Sequence, residues 1–154
     1  MPILDNQKRL QEAKHIFTTH LEKNRQRKTP ERYAVLEEVY ARSDHFDAET
    51  LYLQMRSNLY NVSRATVYNT LELLAACNLV TKHQFGKNVT QYEKSYGYRQ
   101  HDHIICVECG QVAEFCDPRI QQIKSMVGEM LHFKVESHAL NLYGVCACCQ
   151  AKKN

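Results

Sequence analysis

Long apolar runs are missing from this sequence, and their absence argues against two classes of protein. No stretch reaches the roughly 20 apolar residues that a membrane-spanning helix needs, so no membrane partner is expected. Residues 1–9 lack the apolar core of a secretory signal, which predicts a cytoplasmic protein. With 44% hydrophobic and 24% charged residues, the 154-residue chain is predicted to form one ordinary globular domain or two small ones.

A strong excess of one charge is also missing. The formal net charge of +3 is too small to establish nucleic-acid binding, so the distribution of the basic residues carries more information. Several of them cluster between His20 and Arg42, ahead of a helical region: Lys23, Arg25, Arg27, Lys28 and Arg32. Such a basic segment is typical of a contact with the DNA backbone.

Four helices are predicted in the first half of the chain, over about residues 5–24, 30–43, 48–58 and 63–77. The last three form a helix-turn-helix pattern, with Ser63 capping the recognition helix. Polar side chains on its leading half suit the reading of base edges and phosphates: Arg64, Thr66, Tyr68 and Asn69. A solvated helix face in a protein-interaction domain is the alternative.

Two strand-like runs, 79–85 and 88–93, flank Gly86-Lys87 and predict a β-hairpin, the wing of a winged helix. The expected fold is therefore α+β, with a winged helix-turn-helix domain over 1–93 and a hinge over 94–99. Strands at 102–107, 111–115 and 133–143, with a helix from Asp117, predict a small α/β domain over 100–154. Its sheet leaves an edge that a second copy could cover, so we expect a dimerisation domain and a homodimer.

Seven cysteines are many for a reducing compartment, and four of them form two CxxC pairs: Cys106, Cys109, Cys146 and Cys149. Two such pairs offer the four thiolates of a tetrahedral structural zinc site, which would clamp the first strand of the small sheet to its last. A disulfide or buried free cysteines are the alternatives. Cys148 lies within the second pair and could compete for the metal, whereas Cys77 and Cys116 are predicted to be small buried apolar residues.

His101 and His103 are two positions apart in one predicted strand, so both side chains should point to the same face. Candidate further ligands are His45, Glu93 and Glu114, and mixed imidazole and carboxylate ligation suits Fe(II), Mn(II), Zn(II) or Co(II). Taken singly, such residues are usually surface groups. On the other strand face, Asp102 could join His138, and with less support His132, in a second site. The remaining histidines, His15, His20 and His83, lack obvious partners and are predicted to be solvated.

Together these motifs resemble the ferric uptake regulator family of bacterial metal-dependent repressors. The matching residues are Arg27-Lys28-Thr29 with Arg32, Ser63-Arg64-Ala65-Thr66-Val67-Tyr68-Asn69-Thr70-Leu71, His101-Asp102-His103-x-x-Cys106-x-x-Cys109-Gly110, Glu114-Phe115, and Leu142-Tyr143-Gly144-x-Cys146-x-x-Cys149. The resemblance implies a winged-helix domain joined to a dimerisation domain, with a four-cysteine zinc. It also implies a regulatory metal site at the hinge, formed by His45, Glu93, His101, His103 and Glu114.

By the same resemblance, a basic residue at Arg27 reaches the minor groove and Tyr68 contacts bases in the major groove. This chain departs from the family at Gln100, where a histidine is frequent, and at Gln121, where a carboxylate is common. Both positions belong to the secondary site with Asp102 and His138.

The identity of Glu114, rather than an aspartate, resembles the iron-sensing members of the family more than the peroxide-sensing ones. We therefore expect an Fe(II)-responsive repressor, with a peroxide sensor and then a zinc sensor as alternatives. A metal-dependent enzyme such as a hydrolase is the alternative from another class, but the sequence offers no clear nucleophile or general base beside the metal ligands.

Overall fold

Side-chain caps set where three of the helices in the first half of the chain begin. The structure, a computed structural model, describes residues 2–86, 90–98 and 100–153, with side chains from residue 5 onward. Its N-terminal helices are α1 (Pro2–Lys23), α2 (Pro30–Ala41), α3 (Ala48–Ser57) and α4 (Arg64–Ala76). Thr29, Asp47 and Ser63 accept hydrogen bonds from backbone amides in the first turns of α2, α3 and α4, respectively.

The chain divides into two units, Met1–Arg99 and Gln100–Asn154, called here the N-terminal and C-terminal domains. In the N-terminal domain, the strands β1 (Val80–His83) and β2 (Gln91–Lys94) pair antiparallel. This is the expected wing, although Lys87 of its predicted turn and residues 88–89 of its second predicted strand lie outside the described residues. Leu59, just after the end of α3, has a left-handed backbone and is 93% exposed.

The N-terminal domain contains a continuous apolar core. Its fully buried side chains come from all four helices and from the residue just before β1, and the largest are Phe17, Leu21, Leu36, Leu51, Met55, Leu71, Leu74 and Leu79. Burial of such side chains removes apolar surface from water, and this is the main favourable term in folding. The core therefore provides a rigid base for α4, whose opposite face stays in solvent.

The C-terminal domain is built on a three-stranded sheet of order β4-β3-β5. It contains β3 (Asp102–Cys106), β4 (Val112–Phe115), α5 (Pro118–Leu131), β5 (Asn141–Gly144) and a short α6 (Ala147–Ala151). β3 pairs antiparallel with β4 and parallel with β5. The α+β fold class is thus confirmed, but the prediction that a strand starts at Phe133 is wrong, since residues 133–140 have no regular structure.

No helix in the described part of the chain combines the length and apolar character that crossing a bilayer requires.

Candidate metal centres and nucleic-acid interface

Parallel pairing of β3 with β5 brings the two CxxC pairs together. Cys106 ends β3 and lies in register with Gly144 at the end of β5, so each strand leads directly into one pair. The four sulfurs of Cys106, Cys109, Cys146 and Cys149 all lie within 4.8 Å of one another, and Cys109 Sγ is 3.7 Å from Cys146 Sγ. A tetrahedron of Zn–S bonds has edges of about 3.8 Å, so the donor set fits zinc.

The backbone around this cluster favours negative charge on one sulfur. The amide of Cys146 donates to Cys106 Sγ at 3.3 Å. That bond, with others from the amides of Cys109 and Glu108, lowers the pKa of Cys106 to about 6. By contrast, hydrogen bonding to Cys146 and burial raise the pKa of Cys149. A thiolate at Cys106 near neutral pH is the form that binds a metal.

In the N-terminal domain, His45 lies beside Glu93. Phe46 forms an isolated bridge with Tyr92, through hydrogen bonds of 3.0 and 2.7 Å, which fixes the loop that carries His45 against β2. His45 Nε2 is 3.0 Å from Glu93 Oε2, and both side chains are less than 15% exposed. An imidazole and a carboxylate held this close can serve as two ligands of a divalent ion.

His83 is a third member of this group, and the prediction that it is solvated is wrong. Its Nε2 lies 2.6 Å from Glu93 Oε1, and its side chain is 12% exposed. Sequence spacing hid the contact because His83 and Glu93 are ten residues apart on different strands. The predicted hairpin could have revealed the contact, because His83 lies on its first strand, three residues before Gly86, and Glu93 lies on its second strand.

The C-terminal domain presents a second group of imidazoles and a carboxylate. Strand pairing sets His103 opposite Glu114, while the rings of His101 and His103 are 4.9 Å apart. His101 Nε2 is 3.4 Å from Glu114 Oε1. His103 is 3% exposed, so a polar ring is placed in a buried position where an unpaired group would be costly. The donor chemistry again suits a divalent metal.

Asp102 and His138 face each other on the same domain. His138 Nε2 lies 3.0 Å from Asp102 Oδ1 and 3.2 Å from Asp102 Oδ2. Gln100 donates to the His138 carbonyl at 2.8 Å, and its amide nitrogen is 3.4 Å from His138 Nδ1. Both ring nitrogens of His138 therefore have neighbours within the protein, and this pair brings only two metal donors together. His132, at the end of α5, has a left-handed backbone and caps that helix.

The three other cysteines are not members of the four-sulfur cluster. Cys116 is exposed, so the prediction that it is buried is wrong, and its Sγ donates to the Gln100 carbonyl at 3.3 Å. Cys77 is half-buried, and burial raises the pKa of its thiol. Cys148, inside the second CxxC pair, is exposed on α6.

The leading half of α4 faces solvent. Arg64, Tyr68 and Asn69 are exposed, with Tyr68 exposed by 44%, although it is a large aromatic residue. Ser63 accepts from the Thr66 amide at 3.1 Å and so caps the helix, and the two hydroxyls are 2.9 Å apart. Arg27 and Lys28, in the loop before α2, are exposed as well.

Arg64 forms an ion pair within the domain. Its Nε and Nη2 contact the Glu49 carboxylate at 2.7–3.0 Å, and its guanidinium lies 4.6 Å from the centre of the Tyr52 ring. This pair lowers the pKa of Glu49. A phosphate that binds Arg64 must therefore compete with Glu49 for the same donors, or approach the donors that remain.

The two domains together define a class: a winged helix-turn-helix domain, followed by a small α/β domain that carries a four-cysteine cluster. The sequence model of the Ferric uptake regulator family matches residues 23–143. A ferric uptake regulation protein of Legionella pneumophila is 41% identical over 110 residues, which are 71% of this chain and 80% of that protein. The chain belongs to the ferric uptake regulator family, whose members are transcriptional regulators and not enzymes.

Solved structures agree with this assignment. The Helicobacter pylori ferric uptake regulator, described as having three functional metal binding sites, superposes with a TM-score of 0.79 at 28% identity. The match covers 92% of this chain and 93% of that one. The manganese-bound regulator of Pseudomonas aeruginosa gives a TM-score of 0.74 at 27% identity, over 84% of this chain and 97% of that one. Both are ferric uptake regulators that bind metal, and this chain shares their fold.

Proposed function

We propose that this protein is an Fe(II)-responsive repressor that binds double-stranded operator DNA as a homodimer. The observation that carries the proposal is the pair of ligand groups, one in each domain. His45 and Glu93 are 3.0 Å apart in the N-terminal domain, and His101 and Glu114 are 3.4 Å apart in the C-terminal domain. The N-terminal group offers two proposed ligands and the C-terminal group three, and both have the same mixed imidazole and carboxylate chemistry.

In this proposal, His45, Glu93, His101, His103 and Glu114 all ligate one regulatory ion. The bound ion supplies a single positive centre that satisfies carboxylates and imidazoles from both domains. Because the ligands come from either side of the hinge at 94–99, binding favours one arrangement of the two domains over others. A ligand shifts such an equilibrium only by its differential affinity, which is the route from metal concentration to DNA affinity.

Iron is the favoured regulatory metal, with Mn(II), Zn(II) and Co(II) as substitutes. Two features support it: Glu114 stands where the peroxide-sensing members carry an aspartate, and relatives 41% and 35% identical to this chain are named ferric uptake regulation proteins. Peroxide sensing and zinc sensing remain the alternatives within the family. Cys106, Cys109, Cys146 and Cys149 hold a separate structural zinc, which the 3.7 Å sulfur contact supports.

Asp102 and His138 contribute two donors, and Gln100 stands where a further histidine is frequent in the family. We propose that any ion there binds weakly. Protein prepared at limiting metal is then expected to carry two ions per chain, which elemental analysis measures.

Homodimerisation is supported by the apolar surface of the C-terminal domain. Large side chains along α5 and just after it are 41–72% exposed: Ile123, Met126, Val127, Met130, Leu131 and Phe133. A contiguous apolar stripe of this kind marks an interaction surface. A second copy that covers it would place two α4 helices in one particle, as an operator with two half-sites requires.

For DNA contact, the proposal assigns Arg64, Tyr68 and Asn69 to the major groove, with Ser63 and Thr66 near the backbone. Arg27 and Lys28 approach the neighbouring backbone or minor groove. All are exposed or half-exposed on the N-terminal domain, which supports the assignment. Phosphate contacts would make binding salt-dependent, and base contacts would make it sequence-specific.

The test begins with selection of duplexes from a random-sequence library by zinc-loaded protein with and without Mn(II). We expect specific duplexes to be retained only with Mn(II), and their gel shifts to be lost on chelation. Arg64→Ala and Tyr68→Ala should weaken this binding by about 10-fold or more while leaving the zinc content unchanged. Equal binding with and without metal would contradict the proposal.

The choice of iron sensing is tested separately. Fe(II)-loaded protein is exposed to low peroxide and its peptides are examined by mass spectrometry. We expect His45 and His101 to remain unmodified. A gain of one oxygen on either residue would instead identify a peroxide sensor.

A further inference from the structure

Glu93 lies between two imidazoles, and only one of them belongs to the proposed ligand set. Its Oε2 is 3.0 Å from His45 Nε2, and its Oε1 is 2.6 Å from His83 Nε2. A carboxylate only accepts hydrogen bonds, so the short contact requires the hydrogen to be on His83 Nε2. His83 thus occupies one oxygen of Glu93, while the other faces His45.

The hairpin register produces this contact. β1 and β2 pair Thr81 with Glu93 and His83 with Gln91, so His83 and Glu93 are diagonal neighbours on one face of the wing. Diagonal neighbours in an antiparallel pair are within reach of long or aromatic side chains. The contact is therefore built into strand pairing and does not depend on a flexible loop.

Phe85 holds the His83 ring in its orientation. The two rings stack with centroids 5.0 Å apart and planes 10° apart. Phe85 is 1% exposed, so the platform is buried and has little freedom to move. The His45 ring also meets Phe85, edge to face at 5.7 Å. One buried aromatic side chain thus fixes both imidazoles that flank Glu93.

We infer that His83 is a positioning residue for the regulatory metal site: by donating to Oε1 of Glu93, it directs Oε2 toward the ion. The inference rests on the proposed function, which makes Glu93 a ligand. Metal-binding side chains depend on such hydrogen-bonded partners, and loss of one typically weakens metal affinity by about 10–100-fold. For His83 Nε2 to bind the ion itself, its 2.6 Å contact with Glu93 would have to break.

The experiment titrates Co(II) alone into zinc-loaded, full-length protein and follows the visible absorption bands of Co(II) bound at the regulatory site. His83→Leu removes the donor and should raise the Kd for Co(II) by about 10–100-fold. His83→Gln places an amide N–H near the lost Nε2–H and should restore the Kd to within about threefold of wild type. His15→Gln, at an exposed histidine of α1, is the matched control and should bind as wild type does.

Thermal unfolding accompanies each titration. If His83→Leu lowers the melting temperature, His83→Met is used in its place. Methionine is unbranched and has no hydrogen-bond donor, and the Kd of this variant is compared with that of His83→Gln. The rescue by an amide donor is the readout that a merely structural role would not produce.

The remaining outcomes separate two failures. If zinc-loaded wild type takes up no Co(II), the proposed function fails and the inference falls with it. If wild type binds Co(II) and His83→Leu binds it within threefold, only the inference is overturned. If His83→Gln binds as poorly as His83→Leu and its absorption bands shift, His83 is a ligand, which also overturns the positioning role.

Discussion

The two domains are stabilised by different means. In the N-terminal domain, buried aliphatic and aromatic side chains from four helices form one core. In the described part of the C-terminal domain, the buried hydrophobic side chains are Ile105, Cys106 and Cys149. Two of these three are thiols of the zinc-type cluster. With so few buried side chains, this domain is marginal by itself, and the zinc and the second subunit proposed above would supply what its core lacks.

The exposed stripe on α5 supports the same distinction. Gly128 is the buried residue of that helix, whereas Met126 and Met130 are more than 60% exposed. In the N-terminal domain, the helices turn their apolar faces inward. The comparison indicates that the N-terminal domain is stabilised by its own core. The stability of the C-terminal domain is expected to depend on the metal and the subunit that it binds. Four experiments test this, in order of decreasing expected effect.

Loss of the zinc cluster should have the largest effect. Cys109→Ser removes one of the four sulfurs, so the C-terminal domain should lose its metal and its folded structure, while the N-terminal domain keeps both helix content and core packing. Amide hydrogen exchange, read domain by domain, measures this. Cys148→Ser, at an exposed cysteine two residues from Cys146, is the control and should retain zinc. A folded C-terminal domain in Cys109→Ser would remove the proposed difference between the domains.

Disruption of the apolar stripe should come next. Met130→Asp introduces a charge at a side chain that is 68% exposed in the single chain, so a paired subunit would have to bury it. We expect monomers at micromolar concentration, seen by light scattering, with zinc still bound. Ser125→Asp, on a face of α5 turned away from the stripe, should remain dimeric. Dimers of unchanged affinity in Met130→Asp would place the interface elsewhere.

A cavity in the N-terminal core should cost less than either change. Leu71→Ala removes a fully buried side chain of α4, and the expected loss is about 2–5 kcal/mol in the free energy of unfolding. Urea denaturation measures it, and zinc content should not change. Leu53→Ala, at a side chain that is 54% exposed, should cost far less. Zinc loss in Leu71→Ala would indicate that the domains are not independently stabilised.

The smallest effect is expected at the surface of the N-terminal domain. The Lys82 ammonium, 2.9 Å from Glu72, lowers the pKa of that carboxyl below its usual value of 4.5. A lowered pKa stabilises the folded state above about pH 4.5, and that contribution is lost as the pH falls through the folded value. Because the pair is exposed, it contributes no more than about 0.5 kcal/mol. Urea midpoints at pH 3–7 should converge at low pH for wild type and Glu72→Gln.

Local signals made much of the fold predictable. Helix starts at Thr29, Asp47 and Ser63 follow from capping, which depends on a few neighbouring residues, and Asn78 has the left-handed backbone expected after α4. The α+β class followed from where the periodicity changes from helix to strand. The CxxC pairs were recognisable because the bite of two thiolates is encoded in their spacing.

Features that depend on tertiary pairing were missed. Phe133 and Val135 suggested a strand, but the chain leaves α5 through a left-handed His132, and Phe133 donates its amide to the Gly128 carbonyl. A Cβ at Gly128 would come within 2.9 Å of the Phe133 carbonyl, so this exit depends on glycine. The role of His83 was hidden for a similar reason, since strand register cannot be read without the partner strand.

Parallel pairing of β3 with β5 has a consequence for biosynthesis. The cluster joins Cys109 to Cys146, which are 37 residues apart, so its four sulfurs cannot assemble until the second pair has left the ribosome. Domains generally fold as units, N-terminal first, as the chain emerges. The N-terminal domain can thus fold while the C-terminal domain is still unfolded and without zinc. We therefore expect the zinc supply of the cell to set when a newly made regulator reaches its folded form.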